Sequence, residues 1–129
     1  MHFVIAIGAL GGAIAVTFGA FAAHALAGSV PPADLAAFET GARYHLVHAL
    51  AMVAAGLLGL VGGRTAALVA AILFAAGIVL FSGSLYVLGF TGSRALVLVT
   101  PVGGLFLIAG WIALAVAGLR IRPAGGGNG

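Results

Sequence analysis

Four long apolar runs, separated by short polar links, constrain this chain more than any other feature. They cover about residues 3–27, 41–61 (within a span expected over 34–61), 65–89 and 95–119, and each is long enough to cross roughly 30 Å of hydrocarbon at about 1.5 Å per residue. Composition argues against water as the main solvent: 64% of the 129 residues are hydrophobic and 5% are charged, where a soluble domain carries roughly 25% charged residues. Inside a bilayer every backbone polar group must be satisfied within the protein, so runs of this kind form helices. The expected fold is an all-α integral membrane protein.

The links predict the topology. Gly28–Ala33, Gly62–Arg64 and Phe90–Arg94 are too short to return a helix to its starting side. Successive helices must therefore run antiparallel, as a four-transmembrane-helix up-down-up-down bundle. Residues 1–122 read as one domain, and the glycine-rich residues 123–129 as a disordered tail. Pro31-Pro32 blocks helix ahead of the second span, and Asp34 suits its N-terminus. Ala23-His24-Ala25 has the form of a signal cleavage site, but no Lys or Arg precedes the first run. That run also exceeds the roughly 7–15 residues of a signal core, so the first span is expected to be retained. Pro101 falls inside the fourth run. A helix continuous from Ala95 and kinked at the proline is preferred to one starting at Pro101, because extended residues in hydrocarbon would expose unpaired backbone.

Charge and cysteine usage narrow the function classes. The net charge of +3 rests on five arginines, which makes no nucleic-acid surface and serves orientation instead. Arg64, Arg120 and Arg122 lie on the side of both termini, against Arg43 and Arg94 on the other. The positive-inside rule then predicts cytoplasmic termini. With no cysteine, disulfides, thiolate metal sites and thiol nucleophiles are excluded.

Helices in lipid associate through small residues that permit close approach. Gly8, Gly12, Ala15, Gly19 and Ala22 make a narrow small-residue stripe on the first helix, and Gly103, Gly110 and Ala117 recur at seven-residue intervals on the fourth. The lipid bilayer is one expected partner, and the stripe adds a homo-oligomer or a larger membrane complex.

Polar side chains gather at the end of the bundle away from the termini. On a helical projection Tyr44, His45 and His48 share one face of the second helix, with bulky Leu46, Leu50, Val53 and Leu57 opposite. Glu39 and Arg43 are four apart in the order that favours an ion pair, at the level of the headgroups. His48 lies about 7–8 Å deeper, where an ionisable group is a functional candidate. His24, Ser82, Ser84, Tyr86 and Thr100 come to the same end. His24 shares a face with Thr17 opposite the glycine stripe, so either the first helix packs on both sides or His24 points to the headgroups.

This set supports little chemistry. Bis-histidine haem ligation needs His24 and His48 at one depth, and His24 lies one or two turns shallower; His45 and His48 have no facing carboxylate to complete a metal site. No acid is placed to orient a histidine for a serine nucleophile, and the inner half of the bundle lacks an ionisable path for a proton-coupled carrier. No enzyme activity, cofactor or metal is expected.

Several motifs carry a family resemblance. Gly19-Ala20-Phe21-Ala22-Ala23-His24, Thr40-Gly41 with Tyr44-His45-Leu46-Val47-His48, Ser82-Gly83-Ser84-Leu85-Tyr86, and Thr100-Pro101-Val102-Gly103-Gly104 with Ala109-Gly110-Trp111 occur in order through all four spans. Together they resemble the YgdD-like family of small bacterial inner-membrane proteins of unknown function. Two departures stand out: Ala22 replaces a usual glycine, and His45 a usual glutamine. The resemblance implies a multi-pass bacterial inner-membrane protein and supplies no activity. The function expected is a non-catalytic structural, assembly or accessory role. The alternative is a small-ligand binding protein or transporter with a polar pocket near the outer face, lined by His24, Tyr44, His48, Ser82, Ser84, Tyr86 and Thr100.

Overall fold

The computed structural model describes residues 1–121, so the expected tail, 123–129, lies outside the described residues. Four helices span the described chain: α1 (His2–Leu26), α2 (Pro32–Val61), α3 (Arg64–Thr91) and α4 (Val99–Leu119). Each is long and apolar enough to cross a membrane. No strand occurs among the described residues. The chain is an all-α membrane protein.

Local chemistry sets the helix ends. Proline at the first position of α2 lacks only an N–H that would have had no partner there, and Pro31 before it is extended (φ −55°, ψ 145°). Between α2 and α3, Gly63 takes a left-handed conformation (φ 59°), and a Cβ on it would lie 2.5 Å from the Ala117 carbonyl oxygen. Only glycine fits both demands. Gly92 ends α3 in the same region (φ 71°), its N–H bonded to the Leu88 carbonyl at 2.8 Å.

Glycine contacts record the antiparallel packing. Gly8 of α1 sits on Ala49 and Val53 of α2, and Gly56 of α2 on Ile5 of α1. Gly41 faces Leu85 and Tyr86, while Gly89 faces Phe38. Gly77 meets Leu107, Gly110 meets Phe74, and Gly103 lies directly on the backbone of Leu80 and Phe81. The main apolar core joins Ala51, Met52 and Ala55 of α2 to Ala70, Ala71 and Phe74 of α3 and Leu107 of α4.

The bundle is open. α1 takes most of its packing from α2, and α4 takes most of its from α3. In the most apolar 18-residue window, 11% of α1 is buried against 44% of α2. The expected α1 stripe is therefore divided: Gly8, Ala15 and Ala22 face α2, whereas a Cβ on Gly12 or Gly19 would meet nothing within 4 Å. Gly103, Gly110 and Ala117 are all buried.

The fourth helix corrects the sequence expectation. It begins at Val99, not Ala95, and Pro101 occupies its first turn. A proline there leaves no carbonyl unpaired, because the first four N–H groups of a helix have no intrahelical acceptor. Residues 95–98 are not extended but turned, with Val97 N–H donating to the Arg94 carbonyl (3.2 Å) and Val99 N–H to that of Leu96 (2.9 Å). The 21 residues that remain still span about 31 Å.

α1 and α3 each contain one π-helical turn, at Ala22–Leu26 and Ile78–Ser82. Such a turn inserts a residue and rotates the face that follows. In α3 it lies between Phe74, which packs on Gly110, and Tyr86, which packs on Gly41.

Candidate functional site

At the end away from the termini, α2 presents two histidines to different neighbours. His48 is buried, and its Nδ1 lies 2.6 Å from the Tyr44 carbonyl oxygen one turn earlier. The Trp111 indole N–H on α4 reaches its Nε2 at 3.1 Å. A carbonyl only accepts and an indole only donates. His48 is thus a neutral imidazole with its proton on Nδ1, and both ring nitrogens are engaged. The Trp111 and Phe74 rings close over it, centroids 6.0 and 5.7 Å away.

His45, also buried, shares a proton between its Nδ1 and the Tyr86 hydroxyl at 3.0 Å. Tyr86 lies edge-on to Phe18 (4.7 Å) and against Phe38 (4.9 Å). This pair joins α2 to α3 with α1 packed over it.

The third polar contact braces the π turn of α3. Ser84 Oγ donates to the Phe81 carbonyl at 2.8 Å and lies 2.6 Å from Thr100 Oγ1. Its single proton being used, Ser84 accepts from Thr100. Ser82 is fully buried, and its Oγ has no hydrogen-bond partner.

The expected cluster therefore divides. Ser84 and Thr100 touch each other, and Tyr44 and His48 stack (5.9 Å). Tyr86 pairs with His45, which stood outside the expected cluster. Tyr44 does not turn fully inward: it is 43% exposed, its ring lies 4.7 Å from Phe81, and its hydroxyl has no partner among the described residues. His24 is exposed on α1 and joins none of them, so of the two placements open to it the outward one holds. Trp111 was legible only as a motif residue, although it is the single tryptophan of the chain.

The expected Glu39–Arg43 pair is not formed. Both side chains are exposed, and the one ion pair among the described residues joins Arg94 to Asp34 at 3.8 Å. The left-handed turn at Gly92 carries the α3–α4 link over the start of α2 and so brings Arg94 to Asp34, a Cβ position on Gly92 lying 3.5 Å from Asp34 Oδ2. No group of three or more His, Cys, Asp or Glu that could hold a metal occurs among the described residues.

Two concavities flank these contacts. One, of about 420 Å³, lies between α1 and α3 and is walled by Phe18, Phe21, Phe38, Tyr86 and Phe90. The other, of about 340 Å³, is lined by Arg43, Tyr44, Val47 and His48.

Comparison with known proteins bears on the whole chain. Residues 18–104 match the family described as protein of unknown function DUF423. The chain is 42% identical over 121 residues to the UPF0382 membrane protein YwdK of Bacillus subtilis, covering 93% of this chain and 98% of that one. It is 39% identical to a UPF0382 membrane protein of Haemophilus influenzae over 114 residues, 88% of this chain and 91% of that one. To the UPF0382 inner membrane protein YgdD of Escherichia coli it is 35% identical over 126 residues, covering 96% and 95%. No solved structure matches.

Proposed function

We propose a non-catalytic assembly or accessory role in the bacterial inner membrane for this chain, which belongs to the DUF423 family of UPF0382 membrane proteins. The observation that carries this reading is the unused face of α1. Eleven per cent of its apolar window is buried, and Gly12 and Gly19 form smooth patches with nothing against them. In lipid, association relies on close approach of backbones at small residues, and these are the positions where a partner helix would come nearest.

The polar groups support the same reading. His48 has both nitrogens engaged, Ser84 and Thr100 bind one another, and Tyr86 binds His45. Such contacts hold helices together and leave few groups to act on a substrate. The alternative, a small-ligand protein or transporter using that cluster, is weakened by His24, which stands apart.

Arginine placement favours cytoplasmic termini, with Arg64, Arg120 and Arg122 on that side. Reporter fusions at residue 121 and within residues 92–98 test this orientation.

Because the chain has no cysteine, single cysteines report cleanly on assembly. Gly12→Cys and Gly19→Cys, oxidised or cross-linked in native membranes, should give higher-mass adducts, while Leu105→Cys on the lipid side of α4 should not. Absence of any adduct, with only a lone monomer in native mass spectrometry, overturns the reading.

A further inference from the structure

Arg43 lacks a counter-ion among the described residues, and its position defines what can supply one. The sequence has two acids. Asp34 is taken by Arg94, and Glu39, one turn before Arg43, makes no ion pair with it. Arginine stays charged at any physiological pH. Counting back along α2 from the Gly62–Gly63 turn, roughly 20 residues, the thickness of the hydrocarbon, reach Arg43. The guanidinium therefore stands at the hydrocarbon edge, where the anions within reach are lipid phosphates.

The surface beside it has the matching shape. Arg43, Tyr44, Val47 and His48 line one concavity of about 340 Å³. The neighbouring Tyr44 hydroxyl has no partner among the described residues, while its ring is held by Phe81 (4.7 Å) and by His48 (5.9 Å). A guanidinium and a free phenol at the rim can address the oxygens of a single phosphate. Below them the wall becomes Val47 and His48, and Trp111 lies behind His48. Charge at the rim with apolar wall beneath is the pattern of a lipid, headgroup above and acyl chain below.

We propose that this concavity holds one anionic phospholipid, its phosphate on the Arg43 guanidinium and Tyr44 hydroxyl and an acyl chain running past Val47 toward Trp111. Arg43 makes no ion pair among the described residues, and that uncompensated charge favours an anionic over a zwitterionic headgroup. The site does not depend on the assembly role, since it lies on α2 beside α4 and away from the open face of α1.

The single tryptophan is a built-in probe. The full chain is reconstituted in phosphatidylcholine vesicles containing increasing fractions of acyl-brominated phosphatidylglycerol, or of acyl-brominated phosphatidylcholine as reference, and Trp111 fluorescence is read. The brominated phosphatidylglycerol should quench at a lower mole fraction than the brominated phosphatidylcholine. Arg43→Gln should remove roughly fivefold of that preference, on the order expected for one basic side chain near a membrane surface. Tyr44→Phe should reduce it less, and Glu39→Gln should leave it in place. Both Arg43 and Tyr44 are exposed, so these changes do not touch the core, and an unchanged helical circular dichroism spectrum verifies the fold of each variant. Equal quenching by the two lipids, or a preference that survives Arg43→Gln, overturns the proposal.

Discussion

The Trp111 indole N–H donates to Nε2 of His48 across 3.1 Å, from α4 to α2. These two helices touch only over a short stretch, so a single side-chain bond carries much of their specificity. It also fixes the His48 tautomer, because the other ring nitrogen faces the Tyr44 carbonyl. A double-mutant cycle of Trp111→Phe and His48→Phe should give a coupling of about 0.6 kcal/mol, up to ~1.7, the range found for hydrogen bonds between membrane helices. Thermal unfolding in one detergent measures it, and additive effects would remove the bond from any structural role.

Glycines that look alike in the sequence should respond differently to one methyl group. A Cβ at Gly103 would collide with the backbone of Phe81, which cannot swing aside, and Gly103→Ala should cost about 1–3 kcal/mol. At Gly12 and Gly19 a Cβ meets nothing within 4 Å, and alanine there should stay within about 0.5 kcal/mol of the parent protein. Melting temperatures of the three variants decide this. A loss at Gly19 equal to that at Gly103 would mean that α1 packs differently.

Two serines in α3 are separated by one residue and should behave oppositely. Ser84 is bonded to the Phe81 carbonyl and to Thr100, so Ser84→Ala should destabilise by about 1 kcal/mol. Ser82 buries a hydroxyl that has no partner. Removing it relieves a desolvation cost, and Ser82→Ala should be neutral or stabilising by up to about 1 kcal/mol. If Ser82→Ala is the more damaging of the two, its hydroxyl has a bonding partner.

His45→Gln should keep the contact with the Tyr86 hydroxyl and hold stability within about 0.5 kcal/mol. His45→Leu leaves that hydroxyl unpaired beside Phe18 and Phe38, and should cost about 1–3 kcal/mol. Equal melting temperatures for the two variants would show that the hydrogen bond contributes nothing.

The site was only half legible in the sequence. His48 and the serines announce themselves, because polar residues are scarce among so many apolar ones. Helical projection placed His45 and His48 on the buried face but misjudged Tyr44, because it gives directions on one helix without saying where the neighbours stand. The π turn at Ile78–Ser82 adds to this: it shifts the register of α3 by a residue, and a periodic projection cannot contain it. The Arg94–Asp34 pair was missed for a related reason, while Glu39 and Arg43 stay exposed and unpaired with each other. Spacing on one helix brings charges near each other, but Asp34 found its partner through a tertiary turn at Gly92.

By itself the sequence determined that the protein is helical, spans a membrane four times and alternates direction. Each of these follows from run length, the short links and the need to satisfy backbone groups in lipid, and none needs a specific contact. The tertiary structure decided which small residues pack, which histidine meets which partner, that α4 begins at Val99, and that α1 keeps a face open. Those outcomes depend on the relative rotation of helices. In a bilayer that rotation is set by close packing and single hydrogen bonds between elements rather than by a hydrophobic pattern along any one of them.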